Sequence, residues 1–190
     1  MSQLCLLSDV KTYLGTADTN SDTVLTALIT NASAFIETYC NRTFAQASYT
    51  ETRNGGCGPK MYLANGPVVT VSSLTVNNQA VPAAPDAVSY GFVWDTMMVY
   101  IRRGQGGGGP QEFYKGFQNV QVVYTAGYAS IPPDVAQACI ELVASKYAKR
   151  NRIDKSSETL GQQQTQAYDL SDMPKSVKAA LQAYVRWNSL

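Results

Sequence analysis

Between Asp22 and Cys40 the apolar residues Leu25, Leu28, Ile29, Ala32, Ile36, Tyr39 and Cys40 recur at steps of three and four. That spacing lines them along one stripe of a helix roughly 28 Å long, with Asn41 as its stop. A shorter helix over 8–14 is predicted upstream. Ser8 is its expected cap, Asp9 lies in its first turn, Val10, Tyr13 and Leu14 share one side, and Gly15 ends it. From about Ala45 to Tyr128 the pattern changes to short runs of Val, Tyr, Thr and Ile, punctuated by Pro, Gly and Asn. Strands are predicted over 48–53, 61–63, 68–76, 88–93, 97–102 and 119–125. Asn77-Asn78 reads as a hairpin turn, and Gly104–Gly109 as a flexible excursion between strands.

Helical spacing returns at Val135, Ala138, Cys139, Leu142, Val143 and Tyr147, behind Pro132-Pro133-Asp134. This predicts a helix over 133–150 whose basic end, with Lys146, Lys149 and Arg150, complements the helix dipole. The polar stretch 154–172 reads as a mobile linker. A last helix is predicted over 174–187, capped by Ser171 or Asp172, with Val177, Leu181, Tyr184 and Val185 as its stripe. The fold class is therefore α+β. A helical domain of about four helices, residues 1–44 and 129–190, is interrupted by an antiparallel β-rich insertion, residues 45–128.

Composition narrows the chemistry. The 190 residues carry 15 Lys+Arg against 14 Asp+Glu and no histidine. Near-neutrality argues against a dedicated nucleic-acid binder and makes self-association easier. Without histidine there is no Ser/His/Asp or Cys/His catalysis and no imidazole metal site. The cysteines Cys5, Cys40, Cys57 and Cys139 form no CxxC pair, so a thiolate metal site is not expected. No signal-like or membrane-spanning run is seen, and reduced thiols are the expectation.

Individual candidates fare no better. The glycine run lacks the Lys-Ser or Lys-Thr of a phosphate loop and is followed by Pro110. Asp86, Asp95 and Glu112 are scattered carboxylates, and Cys57 is a loop thiol with no base to activate it. The twelve tyrosines leave room for an alternative, a ligand-binding module whose β-insertion holds a glycan or peptide. Tyr184, Trp187 and Leu190 put large apolar groups near the end of the sequence, where they either fold back on the helices or await a partner.

Taken in order, three stretches share a pattern. They are LLSDVKTYLG with SDTVLTALITNASAFIETYCNRTF, then GPVVTVSSLTV (66–76), then VQVVYTAGYASIPPDVAQACIELVASKYAKR (120–150). The chain thereby resembles the head–tail connector (adaptor) proteins of tailed bacteriophages. The resemblance covers both ends of the chain and is weakest over 80–118. It implies a structural virion protein of the neck, present in host cytoplasm during assembly. Its copies would form a homo-oligomeric ring, expected to be dodecameric, beneath the portal protein. That ring extends the DNA channel, lets DNA pass without specific grip and docks the tail or a stopper protein. No catalysis, cofactor, metal or membrane is implied. On this reading Tyr184, Arg186, Trp187 and Leu190 bind the portal, and Arg102, Arg103, Lys149 and Arg152 make subunit or lumen contacts.

Overall fold

Two helices open the chain where the apolar spacing places them, α1 over Leu7–Leu14 and α2 over Asp22–Cys40. Both end in a left-handed residue, Gly15 at φ 65° and Asn41 at φ 50°. The amides of Thr16 and Arg42 reach back to the carbonyls of Lys11 and Glu37, both at 3.1 Å. This closure satisfies carbonyls that a helix end otherwise leaves without partners. Ser8 is not the cap of α1. The Leu6 carbonyl already accepts from Val10 at 3.2 Å, so the helix starts one residue earlier and the Ser8 hydroxyl turns to Asp9 inside the first turn.

The computed structural model describes residues 3–104, 110–150, 157–160, 164–167 and 173–186. The chain divides into two compact units, residues 1–42 with 131–190 and residues 43–130. In the first, α1 and α2 are joined by α3 (Pro133–Lys149) and α4 (Lys175–Gln182). Prolines 132 and 174 immediately precede the last two helices, where a missing N–H costs nothing. The core of this unit is the stripe foreseen for α2, with Leu25, Ile29, Ala32 and Ile36 fully buried, facing Val135, Leu142 and Val143 of α3. Each of the Leu, Ile and Val side chains contributes about 1.5–3 kcal/mol by leaving water. Polar ties fix the helices to one another. Lys11 pairs with Asp22 at 2.8 Å, and Ser21 shares a 2.7 Å hydrogen bond with Tyr147. In the segment before α1, the Leu4 amide donates to the buried Ser33 hydroxyl of α2 at 3.0 Å.

The second unit is all β. Strands β1 (Ala47–Gly55), β2 (Lys60–Tyr62), β3 (Val68–Val76), β4 (Gln79–Val81), β5 (Gly91–Trp94), β6 (Met98–Arg102) and β7 (Gly116–Ala126) form two antiparallel sheets. Their orders are β1-β7-β3-β4 and β2-β6-β5. On β7 the buried residues Val120, Val122, Tyr124 and Ala126 alternate with a period of two. On β3 they fall at Val68, Val71, Leu74 and Val76, because register shifts after Val68 and Val71 each add a residue. Asn77 and Asn78, at φ 50° and 60°, make the tight turn into β4. The two ends of the unit are bridged at Ala45 and Tyr128, whose amide donates to the Phe44 carbonyl at 2.8 Å.

Three expectations need correction. The strand expected over 88–93 starts only at Gly91, because the Asp86 carboxylate accepts the amides of Val88 (2.8 Å) and Ser89 (2.6 Å) and holds 86–89 in a turn. The polar stretch 154–172, read as a linker, carries an antiparallel pair, β8 (Ser157–Leu160) with β9 (Gln164–Ala167). The last helix stops at Gln182 rather than 187, with Tyr184 already in a turn. The capping residues suggested for it, Ser171 and Asp172, and most of the glycine run, 105–109, lie outside the described residues.

Candidate functional site

The end of α4 is built by a short amphipathic helix that lays Val177 and Leu181, both fully buried, on the helical core. Ser176 donates to Glu141 of α3 at 3.0 Å, and the Tyr184 hydroxyl donates to both oxygens of Asp134, at 2.9 and 2.7 Å. Beyond it the Arg186 amide donates to the carbonyl of Cys40, the last residue of α2, at 3.0 Å. Of the two options open for this segment, the described part folds back on its own helices. Tyr184 and Arg186 are thus held in a fixed place by α2 and α3, and both are half-buried. Trp187 and Leu190 lie outside the described residues.

The basic candidates are divided between the two units. Arg102, at the end of β6, donates from Nη1 to the Asp86 carbonyl at 2.6 Å. The Ser89 hydroxyl and the Val88 and Ser89 amides hold the Asp86 carboxyl below its usual range, with Arg102 adding to the effect. Arg103 faces Glu112 at 3.6 Å with both side chains accessible to water, a contact of little energetic consequence. Lys149 ends α3 in the helical unit, and Arg152 lies outside the described residues. Around Lys149 two cations rest on aromatic rings, Lys146 of α3 at 5.1 Å from Phe35 and Arg150, just after it, at 3.7 Å from Tyr147.

The remaining candidates are engaged locally. Asp95 accepts from the Thr96 amide at 2.6 Å, and Cys57 is exposed at φ 57° with its amide on the Phe113 carbonyl. Among the described residues no group of three or more His, Cys, Asp or Glu side chains could hold a metal ion, and no helix is long and apolar enough to cross a membrane.

Several features escaped the sequence reading. Phe117, near the start of β7, is 93% exposed, and Leu6, just before α1, is exposed as well. Tyr13, expected on one side of α1 with Val10 and Leu14, is instead 54% exposed while Val10 is fully buried, because a step of three residues turns it about 60° around the helix axis. Inside the β unit, the Tyr124 hydroxyl donates to Glu51 at 2.5 Å and accepts from the Asn65 amide at 3.0 Å. Burial, with Glu51 second, pushes this phenol up to about 12.

No curated protein matches the chain in sequence. Solved structures do. A chain from the neck of an empty GTA particle, computed with C6 symmetry, aligns over 100% of this chain and 93% of its own, at 21% identity and a TM-score of 0.58. A chain from the neck of the native GTA particle, computed with C12 symmetry, aligns over 97% and 90% at the same identity, with a TM-score of 0.53. A third, from the virion of the native gene transfer agent particle, covers 97% and 90% at 21% identity with a TM-score of 0.56. At this identity the likeness establishes a shared α+β fold across nearly the whole length. Residues 3–187 match the family described as head completion protein, which takes in every stretch that resembles the head–tail connectors, and the chain belongs to that family.

Proposed function

We propose that the chain is a structural protein of the phage neck, a head–tail adaptor whose copies form a ring beneath the portal and carry the tail or stopper on the opposite side. The observation that carries this reading is the family match over residues 3–187. Supporting it, the chains that share the fold belong to the neck and virion of GTA particles, and one neck was computed with C12 symmetry, as a twelve-membered ring would allow. Near-neutral charge fits a channel through which DNA slides without sequence-specific contact.

The portal contact is assigned to the C-terminal end, through Tyr184, Arg186, Trp187 and Leu190. Fixed anchoring of Tyr184 by Asp134 favours a preorganised contact, which spares part of the ordering cost of binding. Arg102, Arg103, Lys149 and Arg152 are assigned to subunit or lumen contacts. Removing all of 174–190 would strip Val177 and Leu181 from the core, so the informative truncation ends after Arg186. That truncation, and Arg186→Ala separately, should each weaken co-sedimentation with assembled portal at least about tenfold, the equivalent of 1.4 kcal/mol, with thermal stability unchanged. Undiminished binding by both would remove the C-terminal end from the portal interface. A chain that binds no portal and forms no ring on it would overturn the adaptor reading itself.

A further inference from the structure

The segment before α1 is held to the helices by an unusual set of small groups. Cys5 donates its S–H to the sulfur of Cys139 on α3 at 3.4 Å, 134 residues away in the chain. The Ser33 hydroxyl on α2 lies 3.8 Å from that same sulfur and accepts the Leu4 amide, which leaves its own proton free to point at Cys139. Both thiols are buried, Cys139 completely and Cys5 to within 5%. Donation from Cys5 and then Ser33 holds the Cys139 thiol below its usual range, so Cys139 is the readier nucleophile.

From this geometry we infer that Cys5 and Cys139 form an oxidation-dependent disulfide that locks the N-terminal segment onto α3 once the protein has left a reducing compartment. The oxidant is hydrogen peroxide, small enough to reach the pair through local opening of residues 3–6. The Cys139 thiolate attacks one peroxide oxygen and the O–O bond breaks. This leaves a sulfenic acid on Cys139 and a hydroxide, which takes up the proton that Cys139 gave up. Cys5 sulfur then attacks the sulfenic sulfur, the S–O bond breaks, and hydroxide leaves as water with the Cys5 proton. Two electrons pass from the sulfurs to the peroxide, giving one disulfide and two waters. A bond closing so long a loop restricts the unfolded chain strongly. Its timing rests on the proposed neck location, since a virion is assembled in a reducing cytoplasm and released into an oxidising exterior.

The test treats the purified full-length Cys57→Ser chain with hydrogen peroxide, then alkylates, digests and maps thiols by mass spectrometry. A Cys5–Cys139 linked peptide, lighter by two hydrogens, should accumulate while Cys40 stays free, and the thermal midpoint should rise. Cys139→Ala should show neither the peptide nor the shift. Free Cys5 and Cys139 after exhaustive oxidation, or a link that forms only when urea is present, would overturn the inference. Released particles provide the second arm. The linked peptide should be present there and absent from chain alkylated inside host cells, and reduced thiols in particles would refute the timing. If particles lack the chain altogether, the neck reading fails while the disulfide result on purified protein stands.

Discussion

Tyr124→Phe deletes one oxygen from the middle of the β unit, and its cost can be worked out beforehand. The lost hydroxyl gives a short bond to the Glu51 carboxylate and takes bonds from the Asn65 amide and, at 3.2 Å, its side-chain Nδ2. A bond to a charged group contributes about 1.5–3 kcal/mol net, and leaving the Asn65 amide short of a partner adds to the loss, so about 3 kcal/mol is expected at pH 7. The pH dependence separates this network from simple packing. The folded state holds the phenol proton up to about 12 against an ordinary 10.0. Unfolded chains therefore release it first, and stability falls as pH rises from 10 towards 12, by about 2 kcal/mol over that window, each unit of difference being worth 1.36 kcal/mol. Phenylalanine has nothing to ionise. The gap between the two proteins should shrink from about 3 kcal/mol below pH 9 to less than about 1 kcal/mol near pH 12. Urea unfolding read by Trp94 fluorescence, in a Trp187→Phe background, measures the β unit. A gap that stays constant from pH 8 to 11.5 would refute the assignment.

Other substitutions probe separate parts of the molecule. Leu142→Ala opens a cavity in the helical core and should cost about 3 kcal/mol, read as an earlier urea transition by circular dichroism. Gly127→Ala forces a Cβ to within 2.5 Å of the Ala45 carbonyl at φ +112°, and a loss of roughly 2 kcal/mol or more is expected in the same assay. Tyr184→Phe removes the donor to Asp134 and should loosen α4 by about 1 kcal/mol, visible as roughly fivefold faster amide exchange across Lys175–Gln182. Phe117→Ser, at a side chain almost wholly in water, should leave the thermal midpoint within the equivalent of about 0.5 kcal/mol.

What the sequence made legible is what local physics controls. The α2 stripe, its left-handed Asn41 and the span of β3 all follow from residue spacing and turn chemistry, and all stand as read. The same is true of the Asn77-Asn78 turn. Its partner strand β4 was missed because three residues, Gln79 to Val81, are too few to show alternation. Ser8 misled because a capping side chain cannot be told from a hydroxyl inside the first turn until the Leu6 carbonyl finds its donor. The anchoring of the segment after α4 depends on Asp134, fifty residues away, which accepts from the Tyr184 hydroxyl. The Cys5–Cys139 contact likewise has no local signature, since neither residue is unusual in its own window. The candidate docking residues were legible as exposed or terminal types, but their anchoring was not. Arg102 is committed to a turn carbonyl and Tyr184 to a carboxylate, both through tertiary contacts.

The bridge between Ala45 and Tyr128 has a consequence for how the chain comes to its native state. For α2 to meet α3, everything from residue 43 to 130 must first be looped out, which costs entropy that grows with the logarithm of loop length. Once β1 and β7 have zipped together, the two exits of that excursion are side by side, and the effective loop is only a few residues long. By the doubling rule this saves on the order of 3 kcal/mol in bringing the helices together. The β unit therefore acts as a clasp for the helical one, favouring a folding order in which sheet precedes bundle. The same clasp makes the far turns of the sheet natural places for circular permutation or a grafted sequence, since they can change without moving the exits.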